Sequence, residues 1–194
     1  MYVSRCPFLA ALATGLVLAV MLVFALTASP PAVAQSKAAA AARWDALTRQ
    51  SPCDWLPPAV VASILGPDVK GQLRTTQADT GCSWRTARGN PMLTATLAKW
   101  NSAANMVAER DTLLQQIAQY GGAAFTRLPA PGGAATIVMR RDRGRITAFP
   151  TANDVVTVIS INPHLVMKED ETQKEARRQR AIAFTAALVK QHGL

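Results

Sequence analysis

Residues 81–100 read GCSWRTARGNPMLTATLAKW. The runs Gly81–Arg85 and Met92–Trp100 have strand character, and Arg88–Pro91 between them carries the glycine, asparagine and proline that are typical of turns. Strands spaced as hairpins favour antiparallel pairing, because parallel neighbours need a longer crossover between them. This stretch therefore predicts a hairpin in an antiparallel sheet rather than part of a doubly wound parallel sheet.

The same pattern extends to both sides of this hairpin. Further strands are predicted at Gln72–Thr76, Ala135–Arg140, Arg145–Phe149 and Asp154–Asn162, and helices at Ala59–Leu65, Ser102–Tyr120 and Thr172–Gln191. For the last helix, Thr172 and Glu175 have the spacing of a capping box. The order predicts an α+β fold: an antiparallel sheet of about six strands, arranged as two β-β-β-α halves, with the helices packed on one face.

The N-terminus has the pattern of an export signal. Arg5 provides a basic flank, residues 8–28 are almost wholly apolar, and Ala32–Ala34 is a small-x-small cleavage site. We expect residues 1–34 to be a signal peptide that places the protein in the periplasm or outside the cell. The apolar run approaches the length of a membrane span, so an uncleaved anchor is the alternative.

The rest of the chain divides into two segments. Residues 35–52 are alanine-rich and predict an N-terminal helix or spacer, whereas residues 53–194 predict a single α+β domain. A chain of about 160 residues beyond the signal is long enough for one domain with a proper core.

Cys53 and Cys82 are the two cysteines beyond the signal, and we expect them to form a disulfide in an oxidising compartment. Their spacing is not the Cys-x-x-Cys of redox-active pairs. His164 and His192 are distant in sequence from both cysteines, which argues against a zinc site. The pair is therefore expected to be structural, and no metal or cofactor is predicted.

A strongly basic composition suggests the class of partner. The formal net charge is +9, which favours anionic polymers or lipid head groups. The basic turn between the strands Ala135–Arg140 and Arg145–Phe149 is the candidate anion-binding site, through the side chains of Arg140, Arg141, Arg143 and Arg145. The alternative is a solvated hairpin in which Asp142 and Gly144 supply the turn chemistry.

Other classes of function have less support in the sequence. Nucleic acid is not expected, because the chain carries an export signal and lacks the alternating basic and aromatic residues that stack bases. A nucleophile elbow is absent, and a catalytic triad would have to recruit His164 or His192.

We therefore expect a non-enzymatic domain that binds an envelope protein or an anionic envelope lipid or glycan. Membrane contact is expected only through an uncleaved N-terminal segment or the basic surface. Two alternatives stay open. One is an envelope hydrolase whose acid and base come from distant turns, and the other is a structural accessory subunit with Lys174–Arg180 as its contact face.

A family resemblance rests on the residues around the two cysteines. Cys53-Asp54-Trp55-Leu56 precedes a short helix ending in Leu65-Gly66, and Gly81-Cys82-Ser83-Trp84 precedes a strand and an amphipathic helix. Over about residues 53–190 the chain resembles a family of small secreted domains of unknown function that are common among actinobacterial lipoproteins. This chain differs in lacking a lipid-modified cysteine. The resemblance implies a disulfide-stapled α+β domain outside the cytoplasm and supplies no catalytic residues.

Overall fold

The hairpin predicted at residues 81–100 is present in the computed structural model of the protein, which describes residues 32–165 and 168–194. Its strands are β2 (Asp79–Arg85) and β3 (Pro91–Lys99). They pair antiparallel, with Cys82 opposite Ala95 and Trp84 opposite Leu93. These four side chains are buried, so they mark the face of the sheet that contacts the main core.

Seven strands form one antiparallel sheet in the order β1-β2-β3-β7-β6-β5-β4. The remaining strands are β1 (Lys70–Thr75), β4 (Phe125–Leu128), β5 (Ala135–Arg140), β6 (Arg145–Pro150) and β7 (Thr157–Pro163). The helices are α1 (Ala32–Thr48), α2 (Pro58–Leu65), α3 (Ala103–Tyr120) and α4 (Glu171–His192), with a single 3-10 turn at Pro52–Asp54. The α+β class and the antiparallel sheet are thus confirmed.

The predicted number of strands was too low by one. The additional strand is β4, which lies between the predicted helix Ser102–Tyr120 and the predicted strand Ala135–Arg140. The second half of the chain therefore contains four strands before its helix, and the two halves are not both β-β-β-α.

The main core lies between one face of the sheet and the helices α1, α2 and α4. Phe184 of α4 packs on Trp84 with ring centroids 4.9 Å apart. Trp55 is fully buried, and its indole nitrogen donates to the carbonyl of Leu47 at 3.1 Å. Because buried aromatic side chains contribute much of the apolar area of a small domain, this cluster accounts for a large share of its stability.

Helix α3 packs against the opposite face, so the prediction of helices on a single face is not confirmed. A second cluster is made of Met106 from α3, Phe149 from β6 and Val158 from β7. Successive side chains of a strand point to opposite faces. Ala148 and Ile159, the neighbours of Phe149 and Val158, accordingly belong to the main core.

The alanine-rich N-terminal segment is a helix that packs into the domain. Trp44 and Leu47 are fully buried in the main core, and the indole nitrogen of Trp44 donates to Thr157 Oγ1 at 3.2 Å. Residues Ser36–Leu194 form one compact unit, so the interpretation of residues 35–52 as a spacer does not describe these contacts. The predicted signal at residues 1–34 lies almost entirely outside the described residues and stays a prediction.

A disulfide joins Cys53 and Cys82, as expected from the sequence. It connects the 3-10 turn to β2, and Cys82 is fully buried. A disulfide is consistent with an oxidising environment outside the cytoplasm. Within residues 32–165 and 168–194, none of the helices combines the length and hydrophobicity that a membrane span requires.

The sheet has an exposed edge at β1. All six residues of this strand are exposed, and it pairs with β2 alone. Leu73 in this strand is 52% exposed. The edge thus presents unpaired backbone groups and two cationic side chains, Lys70 and Arg74, to solvent.

Helix α4 begins one residue earlier than its predicted cap. Asp170 is the N-cap, and its carboxylate accepts from the backbone N–H of Gln173 at 2.8 Å. The Gln173 side chain completes the capping box by accepting from the backbone N–H of Asp170 at 3.0 Å. The predicted box at Thr172 and Glu175 was therefore wrong by two residues.

Candidate functional site

The basic turn joins β5 and β6 and places two of its arginines side by side. Arg140 ends β5, Arg145 begins β6, and the two are directly paired across the strands. Both lie on the face that carries α3, because Met139 and Ile146 next to them contribute to the main core. Gly144 closes the turn with a φ of +64°, a conformation that favours glycine.

The other two arginines of the turn are directed away from this pair. Arg141 Nη1 donates to the carbonyl of Gly122 at 3.3 Å, and Arg141 lines a separate cavity beside Glu175 of α4. Arg143 is exposed, with its guanidinium 3.9 Å from Asp142. The turn therefore brings together Arg140 and Arg145, not all four predicted arginines.

A cavity of about 240 Å³ lies between α3 and the sheet, beside the arginine pair. Its walls come from α3, from the segment before α3, and from five adjacent strands of the sheet: β3, β7, β6, β5 and β4. The lining residues are Ala98, Trp100, Glu109, Leu113, Phe125, Val138, Arg140, Arg145, Thr147, Phe149, Val158 and Ser160.

The strand register places the side chains on the floor of the cavity in rows of different polarity. Arg140 and Arg145 form the first row. Two residues further along the strands, Thr147 pairs with Ser160. Two residues beyond that row, Phe149 and Val158 contribute to the second core cluster with Met106. Along β6 and β7 the floor thus changes from cationic through hydroxyl-bearing to apolar, whereas β4 and β5 add Phe125 opposite Arg140 and Val138 opposite Thr147.

The guanidinium groups of Arg140 and Arg145 differ in whether a carboxylate neutralises their charge. Arg140 donates from Nε and Nη2 to the two carboxylate oxygens of Asp142, at 2.9 and 3.1 Å. Arg145 Nη2 donates to the hydroxyl of Ser160 at 3.3 Å. Among the described residues, no carboxylate forms an ion pair with Arg145. The guanidinium of Arg145 is therefore the cation of this pair that has no internal counter-ion.

The Arg140–Asp142 contact lowers the pKa of Asp142. Burial acts to raise this pKa, but the hydrogen bond and charge of Arg140, together with the backbone N–H and charge of Arg143, outweigh it. Asp142 therefore stays ionised at neutral pH and competes with any external anion for Arg140.

A buried ion pair at the start of α4 contacts the backbone of the basic turn. Arg177 of α4 is paired with Glu169 at 2.9 Å, and their side chains are only 3% and 7% exposed. The same guanidinium donates from Nη1 to the backbone carbonyl of Arg143. This contact links the turn to the first half of α4.

Polar contacts lie at both ends of the first half of α3, the helix that forms one wall of the cavity. Ser102 caps the helix by accepting from the backbone N–H of Asn105 at 3.1 Å. Arg110 Nη1 donates to the carbonyl of Pro150 at 3.2 Å, and Arg110 Nη2 donates to Asn153 Oδ1 at 3.1 Å. The two Arg110 contacts join α3 to the end of β6 and to the loop after it, beside the wall that carries Glu109 and Leu113.

Catalytic chemistry has little support in this arrangement. Among the described residues that line the cavity, Glu109 supplies the one carboxylate, and no histidine is present. His192 Nε2 donates to the carbonyl of Trp55 at 2.7 Å, which ties the end of α4 to the 3-10 turn. His164 is exposed after β7. Within the described part of the chain, no three acidic, histidine or cysteine side chains cluster as metal ligands would.

The sequence missed most of the cavity and the pairing of its arginines. Thr147 and Ser160 alternate with core residues in β6 and β7, and this alternation was the signal that could have placed them on a common face. Comparison with protein-family models, with curated proteins and with solved structures found no match.

Proposed function

We propose that the protein is a non-enzymatic, exported domain of the cell envelope that binds an anionic group of an envelope partner through Arg140 and Arg145. The observation that carries this proposal is the guanidinium of Arg145, which lines the cavity without a carboxylate partner among the described residues. A planar guanidinium binds phosphate or carboxylate through two parallel hydrogen bonds, so a pair of them suits such a group.

The surroundings of the pair favour binding over catalysis. The cavity lacks a histidine and a second carboxylate among the residues described, so an acid and a base do not face each other there. In the polar first half of α4 only Arg177 is buried among the described residues. Lys174 pairs with Glu171 at 2.6 Å and Arg178 pairs with Glu175 at 2.7 Å, both along the surface of the helix itself. The alternative in which Lys174–Arg180 is a subunit-contact face therefore stays open.

The test is a titration of the purified protein with glycerol phosphate, monitored by NMR. This probe carries the head-group chemistry that anionic lipids and anionic glycans share. The double variant Arg140→Gln/Arg145→Gln is expected to lose at least about tenfold in affinity, because each charge-assisted hydrogen bond is worth more than a neutral one.

The matched control is Arg141→Gln/Arg143→Gln, which removes the same charge from the same turn but outside the cavity. The affinity for glycerol phosphate is measured at 0.15 M salt, which screens the general attraction between the basic protein and the anion. Under this condition the affinity of the control variant is expected to stay within about twofold of the wild type. Equal losses in the two double variants would show that the net charge of the turn, rather than the arginine pair, attracts the probe.

A further inference from the structure

The cavity continues beyond the arginine pair into a region with apolar walls. Trp100 and Leu113 line this region and are only half-buried, and Phe125 lines the cavity opposite Arg140. In the whole of α3, Met106 is the one described side chain that is fully buried. An apolar surface that is exposed inside a cleft and flanked by polar groups is typical of ligand sites.

The dimensions set the size of the group that fits. Phe149 lies four residues after Arg145 on β6, so the two positions are about 13 Å apart along the strand. The cavity volume of about 240 Å³ exceeds the roughly 150 Å³ of an apolar cavity that holds a benzene molecule. The space therefore matches one ring or one short alkyl chain, and not the two long chains of a diacyl lipid.

Charge and polarity then define the orientation of the ligand. The cationic row lies at one end, the hydroxyls of Thr147 and Ser160 follow, and Phe149 and Val158 lie at the far end. We infer that the site takes a small anionic amphiphile: a phosphate or carboxylate bound at Arg140 and Arg145, carrying one short apolar chain or ring that enters the cavity under α3. This inference rests on the proposed function and specifies the ligand class of the same site.

The experiment compares methyl phosphate with hexyl phosphate on the full chain. The two monoesters carry the same charge and differ by five methylene groups. Burial of each methylene is favourable, so hexyl phosphate is expected to bind at least about tenfold more tightly. NMR shift changes at Leu113, Phe149 and Val158 are expected with hexyl phosphate and not with methyl phosphate.

A variant that fills the cavity provides the specific test. Ala98 is a half-buried lining residue on β3, and Ala98→Phe is expected to abolish the advantage of hexyl phosphate while methyl phosphate binds as before. Ala42→Phe, at an exposed position of α1, is the matched control and is expected to keep the advantage. The shift map of the wild-type protein gives an answer even where Ala98→Phe does not fold.

The outcomes separate the two proposals. If methyl and hexyl phosphate bind to the wild type with equal affinity, the inferred apolar subsite is wrong and the arginine site stands. If neither monoester nor glycerol phosphate binds, both proposals are wrong. If hexyl phosphate binds more tightly but shifts residues away from the cavity, the apolar contact lies elsewhere and the inference is overturned.

Discussion

At the scale of single residues, the alternation of side chains between the two faces of the sheet decides which arginines of the basic turn share a site. Arg140 and Arg141 are neighbours in sequence, yet only Arg140 lies on the cavity face, because it is the last residue of β5. Arg145 is the first residue of β6 and faces Arg140. The sequence predicted the turn and its charge, but it could not distinguish the two pairs, since this depends on where the strands end.

Asp142 is expected to act as an internal competitor of the ligand. The change Asp142→Asn removes the carboxylate that occupies Arg140. We expect it to raise the affinity for methyl sulfate, an anion that stays ionised in acid, by about two- to fivefold, in line with the strength of exposed ion pairs. NMR titration at pH 7 measures this effect.

The pH dependence has a definite sign. The folded-state pKa of Asp142 lies below its ordinary value, so its contact with Arg140 is present above that value and is lost as the pH falls through the lowered pKa. Wild-type affinity for methyl sulfate is therefore expected to rise only as the pH falls below 3.8, the ordinary pKa of this carboxyl. An identical rise in Asp142→Asn would exclude the role of Asp142.

At the scale of secondary-structure elements, local patterns predicted the hairpins better than the packing around them. All six predicted strands are present, because their alternation and turn residues are local signals. Strand β4 was missed because Phe125–Leu128 is only four residues long and lies between a glycine pair and Pro129. Its partner, β5, determines its conformation, and this long-range pairing is not visible in a short window.

The position of the helices depends on contacts that the sequence does not specify. The sequence predicts a helix or a spacer at residues 35–52 because alanine dominates the segment, whereas two large side chains, Trp44 and Leu47, provide the packing of α1. The face that α3 covers was missed for a related reason. Phe149 and Val158 lie in two predicted strands, but on the face opposite the main core.

The link between α4 and the basic turn is expected to be important for stability. The change Arg177→Met leaves Glu169 buried without the guanidinium and removes the donor to the Arg143 carbonyl. We expect the free energy of unfolding to fall by about 3 kcal/mol or more, because breaking a buried ion pair from one side leaves a charge in a poorly solvated place. Urea denaturation monitored by tryptophan fluorescence measures the change.

The control for this prediction is on the same helix. Lys174→Met removes an exposed ion pair with Glu171 and is expected to cost less than about 1 kcal/mol. The double variant Arg177→Met/Glu169→Gln should regain part of the loss, since the charge of the buried carboxylate is then absent. A similar small effect for Arg177→Met and Lys174→Met would contradict a structural role for the buried pair.

At the scale of the whole molecule, the disulfide ties the N-terminal part of the domain to the sheet. Cys53 and Cys82 are 29 residues apart in sequence. Replacement of both by alanine is expected to lower the free energy of unfolding by about 3 to 4 kcal/mol, because the unfolded chain gains conformational freedom. Urea denaturation of the wild type and of Cys53→Ala/Cys82→Ala, under oxidising conditions, gives the difference.

Reduction of the wild type provides the corresponding control. Dithiothreitol should lower the stability of the wild type toward that of the double variant and leave the variant unchanged. A loss below about 1 kcal/mol in both experiments would mean that the packing around Trp55 and Trp84 already restricts this part of the chain. The arginine pair lies on the opposite face, so its affinity for glycerol phosphate should persist in the folded double variant.

The composition of the exposed edge strand β1 affects how copies of the protein behave in concentrated solution. A bare strand edge can recruit the same edge of another molecule and start the growth of fibrils. Here Lys70 and Arg74 lie within the six exposed residues of β1, and pairing of two such edges would bring like charges together. The basic character of this strand thus favours colloidal stability, an effect that weakens as salt screens the charges.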